Sequence, residues 1–195
     1  MRSISILFTI FLAFFSLDVS AQRSGPQPIL VDVIGPGGGR SAARSRPAPV
    51  RHVQTPRAGS HRPAYDVERN AFSLMNAERA SKGLGTLRWN DRIAEVARVH
   101  SQNMAANGFF SHRGIDGTMV DDRADLFGVK EWRAIGENIA YLRGYEQPES
   151  MAVEKWMQSS AHRRNLLGSQ WTDSAIGVAV TDFGTFYFTQ VFLVK

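Results

Sequence analysis

AIGVAVTDFGTFYFTQVFLVK, residues 175–195, consists of two runs of branched and aromatic residues on either side of TDFGT. Such runs around a glycine-containing turn predict an antiparallel hairpin. Side chains alternate across a strand, so Phe186, Phe188 and Phe192 fall on one face and Tyr187, Thr189 and Val191 on the other.

Upstream, the apolar spacing becomes helical. Over Tyr65–Ser81, the residues Val67, Ala71, Leu74, Met75 and Glu78 share a helical stripe, and KGLG supplies the stop. A second helix follows LRWN. Asn90 or Asp91 caps it, Ile93, Val96, Ala97, His100 and Met104 line one side, and Gly108 ends it. The segment Ile115–Trp132 is charged and loop-rich, with a short helix expected in MVDDRADLFG. AIGENIAYLRG is too short and glycine-bounded to assign, and GEN has a turn-like context in which Asn138 would bond main chain. A further helix starts near Pro148, whose fixed φ suits a first turn, with Glu149 at the positive helix end and Trp156 expected to be buried. Helices first and strands last, joined by irregular loops, argue for an α+β sandwich over Tyr65–Lys195.

Two other segments precede this domain in the 195-residue chain. In residues 1–21, Arg2 precedes an apolar run from Ile4 to Leu17, and Val19 and Ala21 sit at small-residue cleavage positions; this reads as a secretory signal peptide. The run falls short of the ~20 apolar residues that a membrane span needs. Residues 22–64 hold seven of the eight prolines and seven arginines against the single Asp32. With few large apolar side chains, this segment reads as a disordered or extended linker. It accounts for the chain's basic balance, since the domain itself is close to neutral. A basic arm of this kind either only tethers and solubilises the domain or adds screened attraction to an anionic envelope surface, while no module for nucleic acid accompanies it. The chain has no cysteine. An exported protein without thiols must rely on its packed core and has no thiolate for catalysis or metal binding, which points to a secreted or periplasmic bacterial setting.

Four ionisable groups stand out by context: His112 in FFSHRG, Glu137 in IGENIA, Glu154 in AVEKW and His162 in SSAHRRN. Histidines and carboxylates suit both acid–base chemistry and a zinc-like ion, although no pair has the spacing that would place both on one helical face. His100 shares a stripe with Ile93, Ala97 and Met104 and reads as a core histidine satisfied by a hydrogen bond. Ser101 has no visible partners for a nucleophile's role.

Taken together, LMNAERASKGLGTLRWNDRIAEVARVHSQNMAANGFFSH, GENIA, WMQSSAHRRNLL, IGVAV and GTFYFTQVF resemble, in order, the CAP superfamily in its SCP-like, cysteine-free bacterial form. The likeness runs from about Phe72 to Phe192. It implies a three-layer α–β–α sandwich with a central antiparallel sheet and a broad cleft, where eukaryotic members set two histidines and two acids that can bind a divalent ion. His112 matches the first histidine and Glu137 the first acid. At the other two positions this chain has Ser159 and Tyr187. Bacterial relatives share SxxHRxN, so His162 looks like a replacement cleft histidine. Ser159 shares its helical face, and Glu154 lies about 80° away if the helix continues. The resemblance thus suggests a metal set of His112, Glu137 and His162, for an ion such as zinc.

Two functions follow from this. One is an extracytoplasmic binding module whose His/Glu-lined cleft takes a peptide, lipid or glycan. The other is a metal-dependent hydrolase of peptide or cell-wall bonds, with Glu137 as general base. A purely structural envelope component is the third reading.

Overall fold

The structure, a computed structural model, describes residues 64–195. The expected leader and nearly all of the arginine-rich linker lie outside the described residues. The chain runs α1 (Ala64–Ser81), β1 (Arg88–Trp89), α2 (Asp91–Asn107), α3 (Val120–Leu126), β2 (Ala134–Arg143), α4 (Pro148–Gln158), α5 (Ser160–Leu166), β3 (Asp173–Val180) and β4 (Thr185–Val194). The strands lie in the order β1-β3-β4-β2. β4 pairs antiparallel with β2 and with β3, and the two residues of β1 pair parallel to β3.

Alternation along the strands builds the two cores. Ala140, Leu142, Ile176, Val178, Phe188 and Phe192 face α1, α4 and α5, meeting Val67, Met75, Trp156 and Leu166. Ile135, Ala175, Val191 and Leu193 face α2 and α3, meeting Ile93, Val96, Ala97, Val120 and Ala124. The result is the expected α+β fold, an α–β–α sandwich, with the hairpin faces as read from their alternation.

Local rules account for the helix ends. Asn90 is the cap of α2, its side chain accepting from the amides of Arg92 and Ile93 at 3.2 and 3.3 Å, and Gly108 closes the helix in the left-handed region at φ 64°. In α1 the buried side is Val67, Ala71, Phe72 and Met75, with Glu68 and Arg79, whereas Leu74 is exposed. Glu68 explains part of that rotation. Its carboxylate accepts from Val178 N at 3.0 Å and from Arg98 Nη2 at 2.7 Å, tying α1 and α2 together across the β3 edge that two-residue β1 leaves open. On the α2 side, Gly177 lets the helix backbone touch the sheet, where a Cβ would collide with Ala97 and Arg98, and Ser101 Oγ donates to Gly177 O at 2.9 Å.

Two expectations need correction. AIGENIAYLRG, too short and glycine-bounded to assign from the sequence, is β2, paired over its whole length with β4, from Ala134↔Val194 to Arg143↔Thr185. Asn138 therefore sits in mid-strand and not in a turn, though it does bond main chain, through His162 O at 3.2 Å. A strand covered on both faces loses its polar–apolar alternation, and this is why the sequence shows no period there. The helix from Pro148 does not continue through His162 either. Ser159 turns to extended backbone, φ −81° and ψ 124°, and starts the separate α5.

Trp156 is wholly buried among Ala140, Phe188 and their neighbours, with Nε1 donating to Ile139 O at 3.1 Å. Trp156→Ala should cost about 3–5 kcal/mol in urea unfolding, from the lost burial and the cavity left behind. A loss below about 1 kcal/mol would mean that the ring is not part of the core.

Candidate functional site

Glu137 points from the middle of β2 toward α2 and α3, and it is completely buried. A carboxylate taken out of water costs several kcal/mol unless charge and hydrogen bonds replace its hydration. Both oxygens are provided for. His112 Nδ1 lies 2.7 Å from Oε1, and Arg123 Nη2 donates to Oε2 at 2.6 Å. His100 Nε2 stands 4.0 Å from Oε1, in contact but outside hydrogen-bond reach.

The same groups order the loop between α2 and α3. His100, from the buried stripe of α2, has Nε2 2.9 Å from Ser111 O and donates there, beside His112. Arg123 donates through Nη1 to His112 O at 3.1 Å and to Thr118 O at 3.0 Å. Asp116 Oδ1 accepts from the amide and hydroxyl of Thr118 at 3.0 and 2.7 Å, which closes the loop as an Asx turn. Arg123 thus neutralises Glu137 with one end nitrogen and holds the histidine loop with the other.

Burial alone would push the Glu137 carboxyl up, but the Arg123 charge and then the His112 hydrogen bond outweigh it and hold the group below its ordinary value. Burial drives the His100 imidazole down to about 4, against the opposing pull of the Glu137 carboxylate. His100 is therefore neutral at physiological pH, and its Nδ1 is buried without a hydrogen-bond partner.

The other expected site residues lie elsewhere. Asn138 follows Glu137 in the strand, so it projects to the opposite face. There it donates to His162 O at 3.2 Å, while Asn165 donates at 3.2 Å both to Asn138 Oδ1 and to Glu137 O. His162 belongs to that α5 layer, its Nδ1 2.8 Å from Ser159 Oγ. Glu154 is exposed and accepts from Gln158 Nε2 at 2.8 Å, because the break at Ser159 separates it from His162. Tyr187 does share the Glu137 face, but it pairs with Tyr141, four residues along β2 from Glu137, or about 13 Å at strand rise. It belongs to an aromatic shelf in which Tyr187 and Tyr141 centroids are 5.1 Å apart and Phe110 lies 6.1 Å from Tyr141. Phe109, Phe110 and Tyr141 are partly exposed over buried Met104 and Ile139.

The divalent ion implied by the resemblance does not fit these residues. His112 and Glu137 come together, but their facing atoms bond each other, the second Glu137 oxygen is held by Arg123, and His162 packs in the opposite layer. Among the described residues, no three His, Asp or Glu side chains are disposed to hold a metal ion. The single orphaned nitrogen of His100 does not make a site. Arg123 escapes a reading of the sequence because an arginine in DDRADLF reads as solvated. Its signal is the i, i+3, i+4 spacing of Val120, Arg123 and Ala124, the buried side of α3.

Two consequences can be measured. Arg123→Met should cost about 3–5 kcal/mol in urea unfolding, because Glu137 is left as an uncompensated buried charge, and adding Glu137→Gln should restore part of that loss. A single variant within about 1 kcal/mol of the parent would refute the clamp. The pH response follows from the His100 value. Unfolded His100 takes up a proton near its ordinary 6.5, and folded His100 only near 4. The unfolded state thus binds more protons in this window, so stability falls as pH drops from about 6.5 to about 4. Glu137 acts lower still, its contribution being complete at neutral pH and lost as pH falls below the ordinary carboxylate range. Between pH 7 and pH 4.5, wild-type protein should lose about 2–3 kcal/mol more stability than His100→Gln. Equal losses would show that His100 is not buried neutral.

Comparison with known proteins agrees with the fold. The family model described as the cysteine-rich secretory protein family, CAP, matches residues 72–192. Two proteins of Bacillus subtilis are similar: the uncharacterized membrane protein YlbC, 36% identical over 65% of this chain and 34% of that protein, and the uncharacterized protein YkwD, 34% identical over 66% and 47%. The chain therefore spans about a third to a half of the length of these curated relatives. Among solved structures, an extracellular protein of Bacillus anthracis containing an SCP domain is 30% identical, with TM-score 0.57, over 71% of this chain and 45% of that one. An outer surface protein of Borrelia burgdorferi shares the fold at TM-score 0.62 and 18% identity, over 71% and 99%. With a matching family model across most of the described residues, the chain belongs to the cysteine-rich secretory protein family, in a form that has no cysteine.

Proposed function

We propose that this domain is an extracytoplasmic binding module, taking a peptide, lipid or glycan on the aromatic shelf beside the His112 loop. The observation that carries this reading is the contrast between the two halves of that face. The Glu137 carboxylate is wholly buried with both oxygens occupied, so it serves architecture. A few residues along the sheet, Phe109, Phe110 and Tyr141 leave ring surface open to solvent over a rigid apolar floor. Partly exposed aromatic rings on such a base suit stacking against sugar faces, peptide side chains or acyl chains at low entropic cost. The hydrolase reading would need Glu137 to give up Arg123 or His112 before it could take a proton from water.

Export is part of the same proposal. It is supported by the apolar leader read in residues 1–21 and by the extracellular or outer-surface descriptions of similar proteins. On this view the arginines of residues 22–64 act as an electrostatic tether to an anionic envelope.

Amide-shift mapping with chitotetraose, a short apolar peptide and phosphatidylcholine bicelles tests the shelf. At least one probe should shift the amides of residues 109–111 and 141 saturably, and Phe110→Ala with Tyr141→Ala should weaken it about tenfold or more. Vesicles rich in anionic lipid should hold the full chain at low salt and release the form lacking residues 22–64. No shift with any probe, or turnover of one abolished by Glu137→Gln in a folded protein, would overturn the binding reading.

A further inference from the structure

At the other end of the sheet, α1 finishes on a buried cation that meets no acid among the described residues. Arg79 is 2% exposed. Nε donates to Gly85 O at 2.9 Å, and Nη1 donates to Leu166 O at 2.8 Å and Gly168 O at 2.9 Å. Every one of these acceptors is a neutral carbonyl. By contrast Arg88, Arg98 and Arg123 each meet a carboxylate. The two carbonyls at the end of α5 offset part of the charge, as helix C-termini do, but together with Gly85 O they use only three of the five guanidinium hydrogens.

The remaining nitrogen, Nη2, has no acceptor among the described residues and is not sealed from solvent. Arg79 lines a cavity of about 430 Å³ between the α1–β1 connection and the segment leading from α5 into β3. Around the same cavity stand Arg88, Thr86, Ser169, Thr172 and Trp171. The neighbouring acid, Asp173, is already met by Arg88 Nη2 at 3.1 Å and by Thr172 Oγ1 at 2.6 Å. The Arg79 charge is therefore left over. Burial pulls its guanidinium below the ordinary value, the direction expected of a cation that lacks its counter-charge.

We infer that this cavity is a second binding site, one that takes a small oxyanion, carboxylate or phosphoryl, carried on a hydroxylated body. Arg79 Nη2 and the guanidinium of Arg88 hold the charge, since planar forked donors match both kinds of oxyanion. Thr86 and Ser169 bring hydroxyls that can donate to and accept from the body, while the Thr172 hydroxyl is already spent on Asp173, and Trp171 provides an apolar wall. The site is independent of the aromatic shelf: Trp171 and Thr172 precede the start of β3, whereas Tyr187 and Tyr141 mark the far end of the β4–β2 pair.

The test uses the full chain, with the arginine Nε signals of Arg79 and Arg88 followed during titration by glycerol 3-phosphate and by glucuronate. Sodium chloride at matched ionic strength serves as the control. One probe or both should shift these signals saturably together with the amides of Thr86 and Ser169, and the responding probe identifies the oxyanion. Arg79→Lys should weaken binding about tenfold. Because changes at Arg79 also disturb its carbonyl contacts, Arg88→Gln is the second arm, expected to weaken binding about fivefold with an unchanged unfolding midpoint. Linear shifts equal to those from chloride, or an Arg88→Gln protein that binds as tightly as the parent, would overturn the site.

Discussion

The ion pair between Glu137 and Arg123 is the constraint on which the α2–α3 side of this protein depends. A carboxylate in the middle of a sheet strand, sealed on all sides, is tolerable only with a cation and hydrogen bonds placed on it. Arg123 satisfies that demand and transmits it. The guanidinium that neutralises Glu137 also holds His112 O and Thr118 O, so the loop after α2 cannot move without exposing the pair. His100 adds a tie from α2 to the same loop through Ser111 O. Charge neutralisation and loop geometry are thus one structure, and the loop's position places Phe109 and Phe110 beside Tyr141.

Comparable polar fastenings do elsewhere what disulfides do in many small secreted domains, in a chain that has no cysteine. Glu68, with Arg98 and the Val178 amide, joins the outer layers around the open edge of β3. On the far face of β2, Asn165 and Asn138 bind α5 to the strand while Trp171 Nε1 donates to Asn165 O at 2.7 Å. These bonds lie between elements distant in sequence, so they fix which faces meet rather than how much apolar area is buried. The apolar cores on the two sides of the sheet supply the bulk of the driving force.

What could be read from residues alone followed the range of the physics. The hairpin, the α2 stripe and its Asn90 and Gly108 ends depend on neighbours within a few positions, and they stand as expected. The meeting of His112 and Glu137 came from the family resemblance and also holds. β2 was missed because a doubly covered strand carries no alternation, and that miss made Asn138 look like a turn residue. With β2 unassigned, nothing showed that Glu137 and Asn138 face opposite layers, so His162 was grouped with the wrong side. The break at Ser159 was hidden for a different reason: a serine pair is only a weak stop, and tertiary packing decides whether a helix continues through it. Arg123 and Arg79 escaped notice because burial of an arginine depends on long-range acceptors, carboxylate in one case and carbonyls in the other.

For function, the consequence is that Glu137, an acid that the family resemblance associates with a metal ion, is here held by an arginine of the same chain, and the proposed binding role falls to the rings beside it. A carbon-13 titration of the Glu137 side-chain carboxyl, with and without zinc, tests this most directly. The account predicts a carboxylate that stays ionised from neutral pH to below the ordinary glutamate range and whose signal zinc does not move. A carboxyl that titrates above that range, or one that shifts saturably when zinc is added, would contradict it.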